Sequence, residues 1–243
     1  MQTITFLIPV YNNASTIGIL CDNIQQIILK YTTLVINILL VDDASTDESF
    51  DVMKQIQQQY SNVSILQLSY NHTQQYAFFA AAHYIKSDFL IYISADLQED
   101  LLVVQKYLHE IEQHTKADLI IGFREQNNDF LIFRILSKLF YKLIKIKLPN
   151  MPEGGFDTGC VSQSLLQNFI HNFKRKDLVQ AIFLSCAEKI KLIPYTRLKS
   201  SSEGVKIKSL IFKIKYFIFS LISVYSVRKN TKPVYFSVKQ YIP

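Results

Sequence analysis

The chain has 243 residues, a formal charge of +6, and a composition that is 49% hydrophobic with only six Gly and six Pro. That length suits one large α/β domain with an appendage, and the composition excludes disordered, collagen-like and low-complexity classes. Three widely spaced cysteines, Cys21, Cys160 and Cys186, make neither a disulfide framework nor a zinc signature, and the absence of a zinc finger, an RNA-recognition signature or an Arg-rich run argues against nucleic acid as the partner of the basic half after residue 124.

The amino terminus, MQTITFLIPVYNN, has no basic leader and no apolar run of signal-peptide length, so the chain is expected to stay in the cytoplasm. From there, short β-branched runs alternate with helical patterns. TITFLIPV, VINILLV, VSILQL, FLIYI and DLIIGF read as buried parallel strands. Between them Ile17, Leu20, Ile24 and Ile27 recur at helical spacing, as do Phe50, Met53 and Ile56, and then Leu101, Val104, Leu108 and Ile111. Alternation of this kind predicts a doubly wound α/β sheet, whose ligands bind beyond the carboxyl ends of the strands.

The residues at those ends are polar. Tyr11, Asn12 and Asn13 follow the first strand, Asp42 and Asp43 the second, and Ser94, Asp96, Gln98, Glu99 and Asp100 the fourth. Ser45 is expected to cap the next helix, with Asp47 and Glu48 in its first turn. Capping does not account for two adjacent acids at a strand end, which call for a donor-rich ligand such as a nucleoside base and ribose. Asp96 has two readings: a cap for the helix near Leu101, or an oxygen ligand for Mg²⁺ or Mn²⁺ beside a diphosphate. Glu99 and Asp100 read as acids of the helix start.

Further along, residues 126 to 160 read as a helical stretch followed by a Gly-rich loop, MPEGGFDTGC. A helix is expected through Leu165, Leu166 and Phe169, and a strand from Lys189 to Thr196. From Lys206 to Val227, Leu210, Ile211, Ile214, Phe217, Ile218, Leu221 and Ile222 form an apolar stripe bordered by Lys206, Lys208, Lys213 and Lys215. Its uncharged run is shorter than the roughly 20 residues a bilayer-spanning helix needs. Two readings stand: a helix lying on a membrane with snorkelling lysines, or a helix packed on the domain. The division expected is a catalytic domain over 1–204 and an amphipathic segment over 205–243.

In this order and each after a strand, FLIPVYNN, VDDASTD and SADLQED resemble the family 2 inverting glycosyltransferases of GT-A fold, particularly the branch of dolichyl- and polyprenyl-phosphate sugar transferases. GFREQNN and MPEGGFDTGC extend the resemblance. It implies that Pro9, Tyr11 and Asp43 contact the nucleoside of a nucleotide-sugar donor, with Asn12, Asp42 and Ser94 nearby. It also implies that Asp96 binds the metal, Arg124 and Arg197 reach the diphosphate or acceptor phosphate, and Asp157 lies against the acceptor. Ser94 stands where the family's metal motif has its first acid, which leaves Asp96 as the carboxylate ligand. The implied acceptor is a polyprenyl phosphate or another lipid-linked species, met at the inner face of the cytoplasmic membrane. Two other readings remain open: extension of a lipid-linked oligosaccharide at a sugar hydroxyl, and a non-catalytic nucleotide-sugar-binding subunit.

Overall fold

The computed structural model describes residues 1–124, 140–152, 155–174, 178–196 and 236–243. Strands β1 (Gln2–Val10), β2 (Leu34–Asp42), β3 (Val63–Leu68) and β4 (Phe89–Tyr92) alternate with helices α1 (Ala14–Ile28), α2 (Ser49–Gln59) and α3 (Gln74–Ala82). Helix α4 (Leu102–Glu112) leads to β5 (Leu119–Arg124), and a helix over residues 140–147, α5, precedes β6 (Thr158–Ser162). Then come α6 (Gln163–Asn172), α7 (Val179–Cys186), β7 (Ile190–Tyr195) and β8 (Val238–Ile242).

The strands form one sheet in the order β7-β5-β6-β4-β1-β2-β3-β8. β4, β1, β2 and β3 are mutually parallel, as are β5 and β7, whereas β6 runs antiparallel between β4 and β5. Both faces are covered. Along β1, Ile4, Phe6, Ile8 and Val10 join the core under α1, α2 and α4, while Leu7 joins the core under α3, α5, α6 and α7. Burial on both sides explains why these strands read as continuous apolar runs rather than alternating ones.

The expected α/β class and mostly parallel sheet are present, with four departures in detail. First, the residues expected to close a Gly-rich loop, Thr158 to Cys160, begin β6. A side chain at Gly159 would put its Cβ 2.9 Å from both the Ile120 carbonyl oxygen and the Tyr92 hydroxyl, so this glycine serves close strand packing. Second, α3 carries no apolar stripe: Ala77 through Ala82 are all buried, with Phe78 and Phe79 packed edge-on or stacked against Phe169, Phe173 and Phe183. A helix apolar all round belongs in a core. Third, β8 lies beyond Val227, in the end of the 205–243 segment for which no strand was expected. It pairs antiparallel with β3, covering a sheet edge, and Gln240 donates to Gln67 across the pair. Fourth, α2 starts at Ser49, so Ser45 is not its cap. Asp47 takes over the helix start by accepting from the Ser49 amide at 3.0 Å.

Among the described residues, no helix is long and apolar enough to cross a membrane.

Candidate active site

β1 is where the strand order reverses, with β2 and β3 on one side and β4 on the other, and a cavity of about 210 Å³ opens there at the carboxyl edge. It is lined by Pro9, Val10, Tyr11, Asn13, Asp43, Gln74, Ser94, Ala95 and Asp96. Three expected strand ends therefore converge on one cleft, the position at which open α/β sheets bind ligands. A larger depression of about 870 Å³ lies at the opposite edge, beside Met1, Asp88 and Glu112. It holds none of the strand-end motifs, and the topology favours the smaller cleft.

The loops around the cleft are tied to one another. Asn12, at φ 55°, donates its amide to Ser45 Oγ and accepts from the Thr46 amide at 2.8 Å. The Asn13 amide donates to Ser49 Oγ at 2.8 Å, and Ala14 donates to Asp47. Slight desolvation pushes the Asp47 carboxyl up, but the hydrogen bonds from Ser49 and Ala14 outweigh it and hold it below the usual range. On the other side Thr16 Oγ1 donates to the Ala95 carbonyl at 2.7 Å, linking the first turn of α1 to the loop that carries Asp96. Together these bonds order the β1, β2 and β4 exits.

The adjacent acids Asp42 and Asp43 diverge. Asp42 is wholly buried, accepts from the Ser45 amide at 2.9 Å and from Gln67 Nε2 at 3.0 Å, and does not line the cleft. Asp43 lines it. Its amide is fixed to the Val10 carbonyl at 2.9 Å and its Oδ1 accepts from the His72 amide at 2.8 Å. Desolvation raises the Asp43 carboxyl above the usual range, against the backbone hydrogen bonds from His72 and Thr73. Like charges at neighbouring positions are tolerable here because one acid is committed to the fold and the other to the cleft.

Asp96 is exposed at the cleft, accepts from the Gln98 amide at 3.2 Å, and caps no helix, since α4 begins at Leu102. Ser94 is half-buried beside it. Asp157 directly precedes β6. Gly159 pairs with Tyr92 in the antiparallel register, so Asp157 and Thr158 run alongside the β4 exit, and Thr158 Oγ1 donates to the Tyr92 carbonyl at 2.7 Å. The backbone of Arg124 ends β5 opposite Tyr195. The Arg124 side chain, Arg197 and the lysine-bordered segment 206–227 lie outside the described residues.

The structure therefore brings Pro9, Tyr11, Asp43, Ser94 and Asp96 together in the cleft, sets Asp157 beside the β4 exit, and uses Asn12 and Asp42 as supports. Sequence reasoning missed Gln74, which lines the cleft, and the amides of His72 and Thr73 that hold Asp43. Applying the strand-end rule to the third strand would have found all three.

Residues 5–201 match the model of glycosyl transferase family 2, and the chain belongs to that family. Among curated proteins it is similar to the undecaprenyl-phosphate 4-deoxy-4-formamido-L-arabinose transferase of Photorhabdus laumondii, 26% identical over 196 residues that make up 80% of this chain and 55% of the relative. The enzyme of the same description from Edwardsiella ictaluri is 26% identical over 203 residues, 80% of this chain and 59% of the relative. The chain thus spans a little over half the length of these relatives. Among solved structures it resembles Mycobacterium tuberculosis glucosyl-3-phosphoglycerate synthase with phosphoglyceric acid, at 14% identity and a TM-score of 0.67 over 98% of this chain and 88% of that one. The same synthase with Mn²⁺, UDP and glucosyl-3-phosphoglycerate gives 15% identity and a TM-score of 0.65 over 100% and 90% of the two chains. These likenesses show the fold, a GT-A type α/β sheet.

Proposed function

We propose that the chain moves a sugar from a nucleoside diphosphate sugar to a polyprenyl phosphate or another lipid-linked acceptor, with inversion, in cell-surface polysaccharide or glycolipid synthesis. The observation that carries this reading is the cleft at the β1 switch point, where Tyr11, Asp43 and Asp96 meet from three strand ends. The undecaprenyl-phosphate transferases among its relatives support the acceptor class.

In this reading Pro9, Tyr11 and Asp43 form the nucleoside end. The Asp43 carboxylate, fixed by the His72 amide, accepts from a ring N–H or a ribose hydroxyl. Asp96 faces the diphosphate. Among the described residues no group of three or more His, Cys, Asp or Glu side chains is placed to hold a metal. Asp96 and the Ser94 hydroxyl nevertheless supply the oxygen donors that suit Mg²⁺ or Mn²⁺ when a diphosphate and water complete the shell. A bound divalent ion would stabilise charge on the departing nucleoside diphosphate. The structurally similar synthase with Mn²⁺ and UDP supports this ion class.

On the acceptor side, Asp157 is assigned to orient the incoming group beside the β4 exit. An acceptor phosphate is already ionised and needs no base, whereas a sugar hydroxyl would lose its proton to Asp157. Arg124 and Arg197 are assigned to the phosphates. Residues 1–204 constitute the catalytic part and 205–243 carry the amphipathic segment, which we assign to peripheral contact with the inner face of the cytoplasmic membrane.

The test is transfer from a panel of nucleotide sugars to short-chain polyprenyl phosphate, with and without Mn²⁺. Metal-dependent transfer is expected, and Asp96→Ala should lower it by about 10²–10³-fold, as for loss of a main electrostatic stabiliser. Full metal-dependent turnover in Asp96→Ala would sink the assignment, and transfer only to sugar hydroxyls would move the acceptor to a lipid-linked oligosaccharide.

A further inference from the structure

We propose that Tyr107 of α4 is a positioning residue of the acceptor side. Its hydroxyl fills the space over Gly122 and so fixes where the start of β6, and Asp157 with it, stands relative to the loop that carries Asp96. Tyr107 is wholly buried, and its hydroxyl makes no hydrogen bond of normal geometry among the described residues. Burial pushes that hydroxyl well above its usual range, so it stays neutral. A buried polar atom left unmatched is unfavourable, and a phenylalanine would fit the same core without that penalty. The oxygen therefore calls for a role other than stability.

Its location supplies one. A Cβ at Gly122 would lie 2.3 Å from the Tyr107 hydroxyl and 3.0 Å from Thr158 Cγ2, so the oxygen occupies the side-chain position that this glycine leaves open, next to Thr158. Gly122 and Thr158 are register partners of β5 and β6. Tyr92 does the same at the next residue of β6, where a Cβ on Gly159 would lie 2.9 Å from its hydroxyl. Tyr107 and Tyr92 belong to the cores on opposite faces of the sheet. Two phenol oxygens thus grip consecutive residues of β6 from both sides, directly after Asp157, and the bond from Thr158 to the Tyr92 carbonyl holds the strand in register.

The two grips differ in what stands behind them. Tyr107 is carried by the helix that follows the Asp96 loop. Asp100 accepts from the Leu102 amide at 2.9 Å at the start of α4, and Lys106 donates to the Pro194 carbonyl at 2.8 Å, so α4 is tied to that loop at one end and to β7 along its flank. Tyr107 is therefore a rigid spacer from the Asp96 loop to the first residues of β6. A misplacement of about 1 Å between groups on the two sides of a reaction can cost on the order of 10²-fold in rate. Tyr107 lines no part of the cleft and acts through Asp157, and to that extent the proposal rests on the acceptor reading above.

Steady-state transfer to short-chain polyprenyl phosphate and hydrogen exchange, both on the full chain, test it. Tyr107→Phe should lower kcat about tenfold while donor KM stays within about a factor of two and the thermal midpoint does not fall. Exchange should quicken at residues 158–160 and stay unchanged at residues 10–13. Gly122→Ala alone should also be impaired, because its methyl collides with the hydroxyl. The double variant Tyr107→Phe/Gly122→Ala puts a methyl where the oxygen was and should turn over faster than either single variant. In an Asp157→Asn background, Tyr107→Phe should cause no further loss. The proposal is overturned by unchanged kcat in Tyr107→Phe, by a loss of kcat matched by a fall in thermal midpoint, by a double variant no more active than the better of its parents, or by further loss in the Asp157→Asn background. Failure of the acceptor reading looks different: Asp157→Asn would turn over like the wild type, or polyprenyl phosphate would not be used. The exchange pattern of the Tyr107 and Gly122 variants would then still decide whether the hydroxyl holds β6.

Discussion

In the reading proposed above, the cleft is the donor side and the loop before β6 the acceptor side, and the two are built differently. On the donor side, the exits of β1, β2 and β4 are joined to neighbouring loops by short hydrogen bonds that Asn13 and Thr16 donate and that Asn12 and Asp43 accept. On the acceptor side, Asp157 is reached through a glycine turn stacked on Tyr141, and the neighbouring bonds from Thr158 and Gln180 run to backbone carbonyls of Tyr92 and Phe156. The donor half is a preorganised polar frame, whereas the acceptor half leans on apolar packing of α5 and Phe156. A frame of this kind fixes a nucleotide, and a packed apolar support suits a partner that arrives with a lipid.

The contrast is sharpest between the two adjacent acids. Asp42→Ala should unfold the donor frame, costing about 2–4 kcal/mol because a buried amide of Gln67 and the Ser45 amide lose their acceptor. Asp43→Ala should leave thermal stability nearly unchanged and abolish nucleotide binding. Calorimetric unfolding and titration on both variants separate the roles, and equal stability losses would dissolve the distinction. Asp157→Asn should lower turnover by about 10²-fold while donor affinity stays within a factor of two. A donor-binding defect of that size in Asp157→Asn would erase the two-sided description.

A pH profile sharpens it further. Burial raises the Asp43 carboxyl in the free protein, so the neutral form is favoured there. Its contribution to folding is therefore present at low pH and lost as pH rises through the raised value. Nucleotide binding has the opposite sign, since the acceptor must be the carboxylate. Affinity should fall on acidification at a higher pH than an ordinary aspartate would give, and Asp43→Asn should flatten that step. Titrations across the acid range read the step directly.

The smallest effect expected concerns Thr73, whose φ of 80° is unusual for a β-branched residue. Its amide belongs to the pair that holds Asp43. Thr73→Gly should relieve strain and stabilise the fold by about 1 kcal/mol, with donor affinity reduced by only a few-fold through a looser loop. A destabilised variant would mean that Thr73 packs favourably despite its backbone.

Much of this was legible from the residues because buried parallel strands and striped helices leave strong periodic signals. Ile17, Leu20, Ile24 and Ile27 are all buried, as their spacing requires. The α3 helix escaped because a segment buried on every side has no stripe. β8 escaped because VKQYI is mostly exposed at a sheet edge and carries polar side chains. The site followed the same logic. Strand ends announced Tyr11, Asp43 and Asp96, but spacing alone could not tell which of two neighbouring acids turns inward, and Ser45 mimicked a helix cap while bonding to Asn12.

The placement of β6 also bears on how the chain is made. β5 reaches β4 only through β6, which is later in sequence than both. During synthesis the β4 edge thus has no neighbour on that side until residues 158–162 emerge, and β5 and β7 must await the same event before joining the β1–β4 block. Such late, non-local closure is slow and leaves an open strand edge meanwhile. In refolding, amides of β1 and β2 are expected to gain protection from hydrogen exchange before those of β6, and simultaneous protection would show that the sheet closes in one step. A nascent chain stalled before residue 158 is accordingly the form most exposed to pairing with a second strand.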